Sequence, residues 1–321
     1  MNYKPIIIVA GEPNSIFLEI FFKSLKKKIK SPIILIASKI IIEKQMSKLK
    51  YYKKIKLINY KKLEEYKLNN KYVNLIDVNY NQKKIFSKIS KKSNTYISNS
   101  FKIAFKILNS GFSYKLINGP ISKKNFLKNK YLGITEYISS KYKIKESAML
   151  IYNKNLSVCP LTTHLPLKNV VKKISEKKII NQVKLIDNFY RKRFGFKPKI
   201  GVLGLNPHCE SVSKFNEDQK IIKPTIKKLF ETKKIHISGP HSADTCFLKQ
   251  NRKKFNVIIG MYHDQVLTPI KTLFEYDAIN ITLGLPFLRV SPDHGPNEKM
   301  IGKNISNPLS LIKAIKFLDK N

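Results

Sequence analysis

Short apolar runs alternate with amphipathic stretches along most of this chain, and that alternation constrains its fold more than any other feature. Short apolar runs bounded by polar turns are typical of buried strands, whereas apolar residues three and four apart indicate helices. The predicted strands span residues 6–10, 33–37, 114–117, 157–161, 199–205 and 257–261. Strands that alternate with helices predict an α/β fold with a mostly parallel sheet.

Helical periodicity is clearest in three segments. Residues 170–190 and 101–108 each place apolar side chains on one face, and Gly111 is a plausible stop beyond the second. The last helix is predicted to open at Ser306-Asn307-Pro308, a capping sequence with proline in the first turn, and to run to about Leu318.

Residues 39–95 give the weakest signals. They are rich in lysine, have short apolar runs and carry no motif. Residues 53–62 and 83–92 are interpreted as solvated faces and loops.

The formal net charge of +41 invites a role in binding nucleic acid, but its composition argues against one. Only four of the 62 basic residues are arginine, the side chain best suited to bidentate contacts with phosphate and guanine. The lysines are spread along the chain beside abundant Ile and Asn, as a genome biased toward A and T would encode. We therefore expect no specific nucleic-acid partner.

Cysteine usage and the first apolar run indicate a cytoplasmic protein. Cys159, Cys209 and Cys246 are odd in number and have no CxxC spacing, which argues against a disulfide framework or a zinc knuckle. The apolar run at residues 6–10 is too short for a signal sequence or a membrane span.

Three of the six histidines follow predicted strands, each within a polar cluster. They lie in Thr162-Thr163-His164, Asn206-Pro207-His208 and Tyr262-His263-Asp264. Neutral imidazole is the commonest metal ligand, and three of them leave positions open on a divalent ion. Each histidine alone is better explained by a loop hydrogen bond, but their shared position favours one site, because ligands gather at the carboxyl ends of parallel strands.

A second polar group follows the third histidine. Lys271 is followed by Asn280 and Arg289, which flank the turn Gly284-Leu285-Pro286. Codon bias toward lysine would have replaced an arginine that makes no specific contact. Arg289 therefore indicates either a bidentate anion contact or a structural salt bridge.

At these residues the sequence resembles the 4-hydroxythreonine-4-phosphate dehydrogenase family, in the family's order and spacing. The strongest blocks are Thr162-Thr163-His164-Leu165-Pro166-Leu167, Gly204-Leu205-Asn206-Pro207-His208, Ala243-Asp244-Thr245, Met261-Tyr262-His263-Asp264-Gln265 and residues 280–287. Weaker blocks are Gly11-Glu12-Pro13, Gly119-Pro120-Ile121 and Asp293-His294-Gly295. The resemblance is dense from about residue 114 to 317 and faint across 39–95.

The resemblance implies a fold similar to that of isocitrate and isopropylmalate dehydrogenases, with two α/β/α domains and a cleft between them. The first domain would contain residues 1–125 with about 295–321, and the second about 126–294. It also implies a homodimer whose site is shared between subunits, and NAD or NADP bound without a GxGxxG sequence.

The resemblance further implies roles for individual residues. One divalent ion (Zn, Mg or Co) would be bound by His164, His208 and His263. The substrate would be bound by Thr135, Lys271, Asn280 and Arg289, and the nicotinamide cofactor by Asp293, His294 and Gly295. Candidates for proton transfer or for orienting these groups are Asp244, Asp264 and Lys123.

The implied reaction is the oxidation of a small phosphorylated substrate, 4-phosphohydroxy-L-threonine, with loss of carbon dioxide, in pyridoxal 5'-phosphate synthesis. The metal would lower the pKa of the substrate hydroxyl, and the nicotinamide would accept hydride. Two alternatives stay open: a paralogue acting on phospho-threonate or phospho-erythronate, and a non-catalytic basic binding protein.

Three departures from the family pattern stand out. Ile134 occupies the position of a substrate-contacting histidine, and residues 209–214 replace a glycine-rich run after His208. Asn14-Ser15-Ile16 replaces small residues and glycine near the start. These changes fit a drifting but active enzyme, an altered substrate preference or decayed activity.

Overall fold

The six predicted apolar runs all form strands, so the predicted α/β class is confirmed. The structure is a computed structural model and describes residues 3–127, 130–211, 215–292 and 294–319. It divides into two compact units, Met1–Tyr137 with Pro286–Asn321, and Ile138–Leu285. This division differs from the predicted boundaries in assigning residues 126–137 and 286–294 to the unit that carries both termini. For residues 286–294 the reason is that the strand at 288–292 pairs within that unit.

The first unit contains six strands and the helices that connect them. Its strands are β1 (Ile6–Val9), β2 (Ile33–Ala37), β3 (Ile55–Leu57), β4 (Val73–Asp77), β5 (Lys115–Asn118) and β12 (Leu288–Pro292). Its helices are α1 (Phe17–Ser24), α2 (Lys39–Lys48), α3 (Asn94–Asn109) and α10 (Leu309–Leu318), and α4 (Ile134–Lys141) begins in it. A π-helical turn spans Lys123–Leu127.

The strands of the first unit lie in the order β3-β4-β2-β1-β5-β12, and all five pairings are parallel. Every residue of β1 and β2 is buried. A strand that is buried on both faces must be covered on both, which is why these strands are continuously apolar rather than alternating.

The second unit contains the other six strands. They are β6 (Ala148–Tyr152), β7 (Ser157–Thr162), β8 (Ile200–Leu203), β9 (Ile237–His241), β10 (Val257–Tyr262) and β11 (Ile279–Leu283). The helices are α5 (Glu176–Phe194), α6 (Lys223–Lys233), α7 (Ala243–Cys246), α8 (Lys249–Arg252) and α9 (His263–Phe274).

The order in this unit is β11-β6-β7-β10-β8-β9. The strands β7, β10, β8 and β9 are mutually parallel, whereas β6 runs antiparallel to both of its neighbours. A buried cluster that includes Val158, Ile258, Val266 and Ile270 packs helix α9 against β7 and β10. Four neighbouring strands therefore present their carboxyl ends along one edge.

Two predicted helices are present, but their observed ends differ from the predicted ones. The helix predicted over 170–190 begins only at Glu176, because Ser175 caps it by accepting a hydrogen bond from the Lys178 amide, and 3-10 turns precede it. It ends at Gly195, whose φ of 77° is the left-handed conformation that glycine favours. The helix predicted over 101–108 begins seven residues earlier, at Asn94.

The interpretation of residues 53–62 as loop is wrong in part. Strand β3 lies within them and pairs in parallel with β4 at the edge of the sheet. Its three residues, Ile55-Lys56-Leu57, are exposed or half-buried, and so short an alternation of apolar and polar residues is a weak strand signal. The predicted last helix is confirmed, since Asn307 accepts a hydrogen bond from the Leu309 amide and α10 ends at Leu318.

Among the described residues, no helix combines the length and the apolarity that spanning a bilayer requires.

The first prediction tests the close packing around Gly119, in the turn that follows β5. A methyl group on Gly119 would lie 2.7 Å from a ring carbon of Phe17 and against the Ala10 carbonyl oxygen. We expect Gly119→Ala to destabilise the chain by about 1–3 kcal/mol, the usual cost of overpacking. A thermal melt compares it with Gly295→Ala, where the added methyl would meet open space. Equal melting temperatures for the two variants would contradict this packing.

Candidate active site

Four predicted site residues follow the carboxyl ends of the four parallel strands of the second unit. His263 comes directly after β10 and His164 two residues after β7. His208 comes five residues after β8, and Asp244 lies three residues after β9. Because these strands are neighbours and parallel, the four residues belong to one edge of the sheet, where α/β proteins bind ligands.

His164 and His263 lie side by side at this edge. Their ring centroids are 5.8 Å apart, with the planes tilted by 37°. Two imidazoles on one zinc ion have centroids at most roughly 6.5 Å apart, given Zn–N bonds of ~2.1 Å. The pair is therefore close enough for both rings to bind a single ion.

Asp264 orients the second of these rings. The Nδ1 atom of His263 lies 2.6 Å from Oδ1 of Asp264. Metal-binding histidines usually engage a carboxylate or carbonyl through the nitrogen that does not bind the metal, which fixes ring orientation and tautomer. This arrangement leaves Nε2 of His263 as the nitrogen for a ligand.

His208 lies at the same edge but does not complete a metal site within the described residues. Among them, no group of three or more His, Cys, Asp or Glu side chains is placed to hold an ion. His208 is exposed and lies in a 3-10 turn with a φ of 53°, and Cys209 follows with a φ of 64°. His164 also has a positive φ, of 30°. Non-glycine residues in this region are uncommon and occur at functional sites more often than elsewhere.

Side-chain hydrogen bonds tie the strand ends together beneath the histidines. Thr162, at the end of β7, donates its hydroxyl to the Met261 carbonyl of β10 at 2.7 Å. Gln265 accepts from the Met261 amide at 2.7 Å and donates to the Gly204 carbonyl, just beyond β8, at 2.8 Å. Three strand ends are thereby held together by two side chains.

Asp218 holds the loop that leads to His208, and sequence reasoning missed it. Its carboxylate is fully buried and accepts from the amides of Leu205 and Asn206 at 2.7 and 3.0 Å. It also accepts from the Asn206 side chain at 2.9 Å. Along the sequence Asp218 only precedes an amphipathic helix, where acidic residues are common, so no local signal distinguishes it.

Two further predicted residues lie in the second unit. Lys271 is half-buried on α9, seven residues after Asp264, and the two share a face of the helix. Asn280 is half-buried in β11. Its Oδ1 atom is buried and, within the part of the chain that the structure describes, has no hydrogen-bond partner.

Arg289 and Thr135 lie in the first unit and contact each other. The Nε of Arg289 donates to Oδ1 of Asn118 at 2.8 Å, and Nη1 donates to the Thr135 hydroxyl at 3.3 Å. Arg289 is fully buried, and this burial lowers the pKa of its guanidinium to about 10, although Glu136 nearby opposes the shift. The arginine therefore remains charged at neutral pH and anchors the first turn of α4, which Ile134 opens.

The remaining predicted residues of the first unit lie on loops. Lys123 is exposed at the start of the π-helical turn. His294 is half-buried, with Nδ1 2.9 Å from the Gly295 carbonyl, and Gly295 is exposed. Asp293 lies outside the described residues.

The fold belongs to the class of two-domain α/β proteins that includes isocitrate dehydrogenase. The enzyme from Methylococcus capsulatus is similar with a TM-score of 0.50 at 10% identity, over 97% of this chain and 83% of its own. The structure of 4-hydroxythreonine-4-phosphate dehydrogenase from Klebsiella pneumoniae is similar with a TM-score of 0.85 at 24% identity, over 98% and 97% of the two chains. Likeness at these identities shows the fold alone.

Sequence similarity identifies the family. The family described as "Pyridoxal phosphate biosynthetic protein PdxA" matches residues 28–318. The 4-hydroxythreonine-4-phosphate dehydrogenase of Sulfurihydrogenibium sp. (strain YO3AOP1) is 38% identical over 321 residues, which cover 97% of this chain and 96% of that protein. The chain belongs to the PdxA family, so the resemblance found in the sequence is confirmed, and membership of a dehydrogenase family implies a nicotinamide cofactor.

The buried carboxylate of Asp218 generates the second prediction. In Asp218→Asn, an amide NH₂ group replaces one acceptor oxygen and faces an N–H donor, and bonds to charged groups are worth about 1.5–3 kcal/mol. We expect a lower melting temperature and a kcat/KM reduced roughly tenfold or more, as for other groups that orient ligands. Glu217→Gln is the matched control, because Glu217 makes only a 3.4 Å contact with Asn206. Equal effects in the two variants would refute the assignment.

Proposed function

We propose that this protein oxidises 4-phosphohydroxy-L-threonine with NAD or NADP, with loss of carbon dioxide, in a reaction that depends on a divalent metal ion. The observation that supports it best is the histidine pair, His164 and His263, at the carboxyl edge of parallel strands in a PdxA-family chain. The Sulfurihydrogenibium relative, which is matched over 96% of its length, carries the name of this activity.

The donor atoms fit a divalent ion in part. His164 and His263 supply two imidazoles at a suitable separation, and Asp264 orients one of them. We assign His208 as the third ligand and, on the family resemblance alone, propose a homodimer whose sites draw groups from both subunits. A bound Zn, Mg or Co ion would act as a Lewis acid on the substrate hydroxyl, and a nicotinamide would accept hydride.

The chain's own groups would bind and orient the substrate around that centre. The buried Oδ1 of Asn280 would accept a hydrogen bond from a hydroxyl or ammonium group, since a buried acceptor without a partner costs about 1–3 kcal/mol. Lys271 would provide positive charge for the phosphate. Thr135, held by Arg289, would contact the substrate from the start of α4.

Proton transfer and cofactor binding are assigned to further residues of the two units. Asp264 holds His263 and lies at an exposed position open to solvent protons. Asp244, also exposed, and Lys123 are the other candidates for acid–base roles. His294 and Gly295, with Asp293, are proposed to contact the nicotinamide cofactor.

The third prediction tests the histidines. We expect His164→Ala and His263→Ala each to lower kcat/KM by at least about 100-fold, because loss of a metal ligand removes the Lewis acid. The assay follows reduced nicotinamide with NAD, 4-phosphohydroxy-L-threonine and added metal. His236→Ala is the control, since His236 is exposed and immediately precedes β9, at the opposite edge of the same sheet. Near-normal turnover of both test variants without metal would refute the assignment.

A second candidate substrate is favoured by one observation. Ile134 stands at the head of α4 beside Thr135, where the family has a histidine, and it cannot donate a hydrogen bond. A paralogue that oxidises phospho-threonate or phospho-erythronate would need different contacts at this position.

The fourth prediction distinguishes the two candidate substrates. If the substrate is 4-phosphohydroxy-L-threonine, Ile134→His should raise kcat/KM by roughly ten- to a hundred-fold, the worth of a hydrogen bond to a charged group. If the site is remodelled for another acid, the variant should gain nothing, and phospho-threonate should be the better substrate of the parent protein. The measurement compares kcat/KM of the parent protein and of Ile134→His on 4-phosphohydroxy-L-threonine and on phospho-threonate. A flat response on both substrates, with strong starting activity, would contradict the loss of a substrate contact here.

A further inference from the structure

A cavity of about 500 Å³ opens in the first unit, away from every residue assigned above. It lies where α1 and α2 end and the chain turns toward β3. Helices that follow parallel strands run back to the amino edge of the sheet, so this cavity lies opposite the edge that carries Asn118. A second depression of about 780 Å³ adjoins it and shares Met46, Tyr51, Tyr52 and Lys53.

Aromatic rings line one side of the cavity. The Tyr51 ring packs against Phe22, with centroids 5.6 Å apart and planes tilted by 35°. The neighbouring Tyr52 is 85% exposed, so the fold itself leaves its ring uncovered. Met46 and Leu49 are buried beneath and give the cavity an apolar floor.

Lysines also line the cavity, and Nζ of Lys26 lies over the Tyr51 ring, 5.6 Å from its centroid. Lys26, Lys50 and Lys53 border the cavity, and none of its lining residues, within the described ranges, is acidic. Glu43 borders only the adjoining depression, where its carboxylate lies 3.7 Å from Nζ of Lys39. The cavity therefore carries uncompensated positive charge.

The helix ends account for the positions of Lys26 and Lys50, but not for that of Lys53. Lys26 and Lys50 follow the carboxyl ends of α1 and α2, where cations are favourable in any protein. Lys53 lies beyond both helices, and burial lowers the pKa of its ammonium group, so its charge is poorly solvated. Such a charge gains more from a bound anion than a fully hydrated lysine does.

We propose that this tyrosine-lysine pocket, formed by Phe22, Tyr51, Tyr52, Lys26, Lys50 and Lys53, binds a planar aromatic ring that carries a phosphate group, as a nucleotide does. The ring stacks on the exposed face of Tyr52, and the phosphate is bound by Lys50 and Lys53. A volume of about 500 Å³ falls within the range of small-molecule sites. Stacking on tyrosine is tolerant of ring identity, and lysine binds phosphate as a point charge. We therefore expect the pocket to bind phosphorylated aromatic rings as a class rather than one particular nucleotide.

AMP is the probe, and binding is measured by isothermal titration on the full chain at about 0.15 M salt, where diffuse lysine–phosphate attraction is screened. NAD is omitted, because its adenine ring and phosphates would compete for the same pocket, and a His294→Ala variant checks that the AMP measured is not bound at the proposed cofactor site. We expect one saturable AMP site per chain. Adenosine, which lacks the phosphate, and ribose 5-phosphate, which lacks the ring, should each bind at least about tenfold more weakly.

Matched variants locate the site. Tyr52→Ala and Lys53→Gln should each weaken AMP binding about tenfold or more, as loss of a stacking ring does elsewhere. Tyr72→Ala and Lys48→Gln, exposed residues outside both depressions, should bind AMP as the parent does. Melting temperatures check that all four variants are folded, and dehydrogenase activity should be unchanged in each.

Three results would overturn the proposal. One is the absence of saturable AMP binding to the folded parent protein. Another is ribose 5-phosphate binding as tightly as AMP, which would show an anion site without a ring contact. The last is AMP affinity that does not change in Tyr52→Ala and Lys53→Gln. None of these outcomes depends on the proposed dehydrogenase activity.

Discussion

The side chain of Gln265 makes the hydrogen bonds on which the candidate site depends. It joins the end of β10 to the end of β8, while Thr162 joins β7 to β10. Strand pairing brings the carboxyl ends to one edge, but it does not fix the loops that carry His164, His208 and His263. These cross-links, with the buried carboxylate of Asp218, hold those loops, and the imidazoles of His164 and His263 lie 5.8 Å apart.

The sequence predicted strand positions and strand-end histidines because both are local signals. Runs of buried residues such as Ile6–Val9 are readable without knowing their neighbours. The order β7-β10-β8-β9 is not readable, because it places strands side by side that are distant along the chain. For the same reason sequence analysis could not find Asp218 or Gln265, whose partners lie 12–13 and 61 residues away. Strand β3 was missed because its three residues, Ile55-Lys56-Leu57, are too few for their alternation to stand out among the surrounding lysines.

Arg289 shows how one sequence signal can have more than one physical cause. Its retention among 58 lysines indicated a contact that lysine cannot make. The structure supplies such a contact, since its planar guanidinium donates in two directions to Asn118 and Thr135 inside the first unit. A bond to substrate stays a prediction, and the buried bonds already give a reason for arginine at this position.

The central claim is that the carboxyl edge of β7, β10 and β8 binds a catalytic metal ion. The most direct measurement is a crystal structure of the protein grown with Co²⁺ and NAD, with the ion located from its anomalous scattering. The account predicts one peak at ~2.0–2.2 Å from imidazole nitrogens of His164 and His263. Crystals of active enzyme at saturating Co²⁺ in which both rings lack a bound ion, or in which the only peak lies elsewhere, would contradict it.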